Sequence, residues 1–229
     1  MTGSTATAST TLLDVENLSV TIQSMQALRG FSVTVAPGRM IGIIGRNGAG
    51  KTTLMRSVMG HTTISGGRIR FDGEDLSSRP PHGRAPLGIG YMPEDRQLVP
   101  ELTVEENILL PVWVSKTLKG PERLGFVYDM MPEVAAMRDR KALLLSGGQQ
   151  KLVALCRALA AGTRLLLLDE PFEGVAPALS QRLAEVISSL KGTDLSVVIA
   201  QSDLNHSRTL FDQEHVIERG ANAPRGEAA

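Results

Sequence analysis

The chain has 229 residues, of which 42% are apolar and 21% charged, a composition that excludes a disordered chain and is enough to bury a core. Lys plus Arg number 24 and Asp plus Glu number 24, so the formal net charge is zero, against a protein held on nucleic acid by phosphate contacts. One cysteine, Cys156, excludes a disulfide framework and a Cys-based zinc site, and no apolar run approaches the ~20 residues that cross a bilayer.

Met1 to Thr11 is rich in Thr, Ser and Ala, without a basic residue or an apolar stretch. It reads as a tail without fixed structure and not as a secretory signal. The expectation is a soluble, cytosolic protein whose membrane role comes through a partner. Leu12–Val20 and Ala27–Val35 alternate apolar and polar residues, as half-buried strands do. Met40–Ile44 is a short apolar, β-branched run and reads as a buried strand. Lys51–Met59 carries Leu54, Met55, Val58 and Met59 at helical spacing. Gly66–Phe71 and Gly88–Met92 read as strands, and Ser77–Pro86 as loop.

Thr103–Val114 and Tyr128–Arg138 read as helices, with Lys119-Gly120-Pro121 a linker between them. Gln149–Ala161 places Leu152, Leu155, Cys156 and Leu159 on one face, an amphipathic helix. Leu165–Leu168 has the pattern of a strand buried on both faces. Ala178–Leu190 is a helix, Val197–Ala200 a further buried strand, and a helix from about Leu204 and a strand near His215–Glu218 complete the chain. Alternating strands and helices imply an α/β core with a mainly parallel sheet. The helical stretch from about Pro93 to Ser146 is an insertion between two of its strands. Cys156 reads as core, Trp113 as either core or a partner contact, and His61, His82 and His215 lack metal-ligand spacing.

Gly45-Arg46-Asn47-Gly48-Ala49-Gly50-Lys51-Thr52 matches the phosphate-loop pattern in full, after a strand and before a helix. Its glycines let backbone N–H groups turn inward around an anion, and the helix start adds its positive dipole end. Lys51 reaches the β- and γ-phosphates, and the Thr52 hydroxyl ligates Mg²⁺. Asp169-Glu170 ends the Leu165–Leu168 run. Two carboxylates at the end of a buried strand need a cation or hydrogen bonds. Asp169 is placed to support Mg²⁺ through water, and Glu170 to polarise the attacking water as general base.

Ser146-Gly147-Gly148-Gln149 opens the amphipathic helix, with Ser146 a natural N-cap. This is a second anion-binding helix start in one chain, and one nucleotide needs only one phosphate loop. The economical reading is that it serves the nucleotide of a facing subunit, in a head-to-tail dimer with two ATP molecules between the halves.

On these residues the chain resembles the ATP-binding subunits of ABC transporters, from Leu12 to about Gly220. Arg70–Leu76, Gly90–Arg96, Leu102–Asn107 and Glu173–Pro177 make it most similar to the branched-chain (hydrophobic) amino-acid uptake ATPases and their urea and short-amide relatives. The resemblance implies a P-loop ABC cassette. That is a RecA-like core with a mainly parallel sheet, an antiparallel β-subdomain, and an α-helical subdomain of about 93–160, all in one domain of 12–220 between tails at 1–11 and 221–229. It implies ATP and Mg²⁺ as ligands and Thr53 beside the phosphate loop. It also implies a second ATPase subunit, integral-membrane permease subunits, an indirect solute-binding partner, and a location on the cytoplasmic side of the inner membrane. Glu94 takes the lid-loop position that is usually Gln and senses the γ-phosphate and Mg²⁺, and the surface from Glu94 to Val114 receives the permease.

Three residues depart from the pattern. Ile22 falls where the family stacks adenine on an aromatic ring, and offers dispersion contact without a π-face. Ser202 falls at the switch position that is commonly His, with Gln201 before it, and carries no charge. His206, four residues on, is the alternative switch. Ala176 replaces a frequent Asp. These changes imply a heterodimer whose partner supplies stronger elements, and slow hydrolysis by the chain alone. The competing functions are a soluble ABC-type ATPase on nucleic acid or ribosomes, and a non-hydrolysing regulatory cassette.

Overall fold

The computed structural model describes residues 11–202 and 209–224. Two sheets form. β1 (Leu13–Ile22), β2 (Met25–Val35), β4 (Gly66–Phe71) and β5 (Glu74–Asp75) make an antiparallel sheet in the order β2-β1-β4-β5. β3 (Met40–Ile44), β6 (Ile89–Met92), β7 (Leu165–Asp169), β8 (Ser196–Gln201), β9 (Gln213–Glu218) and β10 (Ala221–Ala223) make the second, in the order β10-β9-β3-β8-β7-β6. Its pairs are parallel except β10 on β9.

Period-two alternation explains why β7 is apolar throughout. Leu165 and Leu167 pack with β1, β2 and the helix α1 (Lys51–Val58), while Leu166 and Leu168 pack on the opposite side. β8 divides the same way, Val198 and Ala200 on one face, Val197 and Ile199 on the other. The second face is covered by α2 (Val104–Trp113), α5 (Gly147–Ala161) and α6 (Pro177–Ser189). Buried Arg84 ties the 77–86 segment to the core by donating to the carbonyls of Ser57 at 2.8 Å, Val58 at 2.7 Å and Leu76 at 2.7 Å. It thereby adds a side-chain donor to two carbonyls at the end of α1.

Two departures from the expected elements have local causes. The expected linker Lys119-Gly120-Pro121 is instead the start of α3 (Gly120–Met130), because proline is tolerated in a first turn where no N–H is needed. The expected helix over 128–138 is broken at Met131, since the residue before Pro132 is driven out of the helical region, and the short α4 (Pro132–Ala135) restarts it. Ala221–Ala223, assigned to the tail, pairs with β9. Trp113 is 56% exposed, so it serves no core. The expected helix from Leu204, with His206, lies outside the described residues.

Candidate nucleotide site

The C-terminal ends of β3, β6, β7 and β8 lie along one edge of the parallel sheet, where open α/β sheets hold their ligands. The 45–50 loop leaves β3, with Gly45 N–H donating to the Gln201 carbonyl at 3.2 Å and the Ala49 carbonyl accepting from Gly220 N–H at 2.9 Å. Gly50, the residue before α1, has φ 114°, and a Cβ there would lie 2.9 Å from the Ala27 carbonyl oxygen. Only glycine meets both conditions, so the loop packs directly against β2 at this position.

Asn47, Gly48, Gly50, Lys51, Thr52, Thr53, Glu94 and Glu170 line one cleft, all of them expected from the sequence, and Ala27 of β2 joins them. Lys51 Nζ donates to the carbonyls of Gly45 at 2.6 Å and Arg46 at 3.1 Å and forms an ion pair with Glu170 Oε1 at 3.0 Å. Both side chains of that pair are buried. Glu170 has φ 49°, the left-handed region, so its carboxylate is aimed by a strained backbone. Its other oxygen accepts from Ser202 N–H at 3.1 Å and Ser202 Oγ–H at 3.4 Å. Ser202, the residue at the expected switch position, thus lies against the Glu170 carboxylate.

Asp169 is fully buried. Thr52 Oγ1 donates to its Oδ1 at 3.2 Å and the Tyr91 hydroxyl to its Oδ2 at 3.4 Å. Burial above all pushes the Asp169 carboxyl up to about 6; the Glu94 and Glu170 carboxylates push the same way, and the Thr52 hydrogen bond opposes them. A buried carboxylate so destabilised, beside a hydroxyl and within the field of two further carboxylates, is an oxygen donor set suited to a hard divalent cation. Among the described residues no group of three or more His, Cys, Asp or Glu could hold a metal alone.

Ser146 to Gln149 line a different surface. Ser146 Oγ accepts from Gln149 N–H at 3.3 Å, and Gln149 Oε1 accepts from Ser146 N–H at 3.0 Å, a reciprocal capping box at the start of α5. None of these four residues lines the 45–53 cleft. Ile22 is not brought to the cleft either: it ends β1, 45% exposed, and the residue of this sheet that lines the cleft is Ala27. The sequence reading also missed Tyr91, whose signal was a hydroxyl in an otherwise apolar strand, and Lys151, a lone cation among the buried positions of α5.

A phosphate loop, a buried carboxylate pair and a separate capped Ser-Gly-Gly helix start define a nucleotide-hydrolysing cassette. The chain belongs to the ABC transporter family, whose model matches residues 28–173, and it is an ABC-type ATPase. It is 34% identical over 211 residues to the lipopolysaccharide export system ATP-binding protein LptB of Haemophilus influenzae, covering 91% of this chain and 88% of that one. It is 32% identical over 209 residues to the high-affinity branched-chain amino acid transport ATP-binding protein BraG of Pseudomonas aeruginosa, covering 91% and 90%. A nucleotide-free ATP-binding cassette from an ABC transporter superposes with a TM-score of 0.81 at 29% identity, over 95% of this chain and 92% of that one.

Proposed function

We propose that this ATPase energises an importer of branched-chain or other hydrophobic amino acids, or of related amides or urea. It works head-to-tail with a partner ATPase, a heterodimer, beneath two permease subunits that a solute-binding protein feeds. ATP lies in the 45–53 cleft, its phosphates held by the loop N–H groups and by Lys51. The facing subunit's Ser146 hydroxyl and the N–H groups of Gly147, Gly148 and Gln149 close on the γ-phosphate. Lys51 exchanges Glu170 for phosphate, and Glu170 then takes a proton from the attacking water. The water oxygen bonds phosphorus as the bond to the β–γ bridging oxygen breaks, giving ADP and phosphate. Ser202 keeps the Glu170 carboxylate oriented. Thr52, Asp169 and Glu94 would hold Mg²⁺, which supplies charge neutralisation across the β- and γ-phosphates when bound.

The observation that carries this reading is the separation of the two phosphate-suited helix starts, one in the cleft and one outside it. Among the described residues no helix is long and apolar enough to cross a membrane, in keeping with a peripheral ATPase held at the inner face of the membrane by its permeases. The likeness to BraG supports the amino-acid class. The likeness to LptB favours a second reading, an ATPase that drives lipid export. Reconstitution with the cognate membrane subunits separates them. Turnover stimulated several-fold by a binding protein loaded with leucine, with leucine accumulating in the vesicles, supports import. Turnover coupled to release of a glycolipid overturns it.

A further inference from the structure

Lys151 is a buried cation whose hydrogen bonds go to backbone carbonyls. Its side chain reaches back from α5 and its Nζ donates to the carbonyls of Glu170 at 2.8 Å and Glu173 at 2.5 Å. Burying an ammonium is expensive, and burial lowers its proton affinity; the two carbonyl contacts and the fields of the Glu173, Glu170 and Glu94 carboxylates offset that cost. They fall on a stretch where the backbone is strained, the turn in which Glu170 has φ 49°. Lys151 is also three and four residues beyond Gly148 and Gly147, hence on their face of α5, one turn along.

We infer that Lys151 is a positioning residue that clamps the 170–173 turn, so that the helix start serving one nucleotide sets the aim of the glutamate serving the other. A shift of α5 when Ser146–Gly148 engage a facing phosphate moves the ammonium, and the ammonium carries the Glu170 carbonyl with it. The Glu170 carboxylate, held at its far end by Ser202, then turns relative to Lys51. Each site is thereby informed of the other through one side chain. The inference rests on the reading of Glu170 as the base.

The test is steady-state ATPase kinetics of the full chain, with its partner subunit where turnover requires one, and fluorescent ADP binding to the same preparations. Lys151→Met is expected to lower kcat at least tenfold while KM and ADP affinity stay within threefold of the parent. The Hill coefficient for ATP should fall toward one. Lys151→Arg, which keeps charge and donors, should recover kcat to within threefold. If Lys151→Met does not fold, Lys151→Gln, with one amide donor, should give a smaller loss confined to kcat. A parental kcat in the methionine or glutamine variant overturns the inference, as does a loss shared equally between kcat and ADP affinity. Glu170→Gln run alongside separates the two failures. If it leaves turnover intact, the base assignment falls; if it abolishes turnover while Lys151→Met does not, only the clamp falls.

Discussion

Asp169 contributes to stability with an unusual sign. Its carboxyl is raised from 3.8 to about 6, so the folded protein binds that proton more tightly than the unfolded chain does. Well below pH 3.8 both states are protonated and nothing is lost. As pH rises toward 6 the unfolded chain ionises first, and stability falls, by up to about 3 kcal/mol once both states are charged. Asp169→Asn removes the cost while keeping an acceptor for Thr52 and a donor toward the Tyr91 oxygen. Thermal melts without divalent cation should give the variant the higher Tm at pH 7.5 and a much smaller advantage near pH 4. Adding Mg²⁺ with ATP should raise the Tm of the parent more than that of the variant, which keeps the phosphate loop but loses one oxygen ligand. An advantage for the asparagine variant that is independent of pH would mean that ionisation is not its cause.

The separate groups differ in how readable they were. Lys51, Thr52, Asp169 and Glu170 were legible because close spacing binds each to a strand end, and strand ends meet on one edge of a parallel sheet. Ser202 was legible for the same reason, one residue past β8. Ile22 was not, because β1 and β2 shift register at three places and a position counted through a bulged hairpin does not say which residue faces the cleft. Lys151 and Tyr91 act on partners 19 and 78 positions away, and no local pattern encodes that.

Helix α5 is anchored at both ends, and each end can be perturbed by itself. The start of α5 depends on the Ser146–Gln149 capping box. Ser146→Ala should cost about 1 kcal/mol, seen as a lower urea midpoint with an unchanged slope, while Ser146→Thr retains most of it. The far end of α5 is fixed against β6 by backbone contact. A Cβ at Gly90 would come 2.1 Å from the Ala158 carbonyl oxygen and 2.8 Å from Gly162 N. Neither atom belongs to a flexible side chain, so Gly90→Ala must separate strand from helix. The expected loss is about 3 kcal/mol or more, above the range of ordinary overpacking. A parental urea midpoint would mean that β6 and α5 are not held at this distance. The element boundaries the sequence missed, at Gly120 and Met131, both involve proline, whose effect depends on whether it stands in a first turn or follows a last one.

Assembly is the remaining link between this geometry and transport. Ser146 and the two glycines after it lie outside the cleft of their own chain, so in the proposed assembly their N–H groups would meet a phosphate brought by another subunit. Glu170→Gln removes the proposed base and the charge that pairs with Lys51, leaving an amide that still accepts from Ser202. Bound ATP then persists, and with it the interface it bridges. Light scattering of Glu170→Gln in ATP, alone and mixed with the sister ATPase, should report a species of two subunits that dissociates on exchange into ADP. Adding Gly147→Asp sets a carboxylate against the facing phosphate, where like charge and desolvation oppose closure. In the homodimer that second change should abolish association at an ATP affinity within a few-fold of the single variant. Dimers that survive Gly147→Asp, or that form equally in ADP, would mean that the subunits meet through some surface other than the two half-sites.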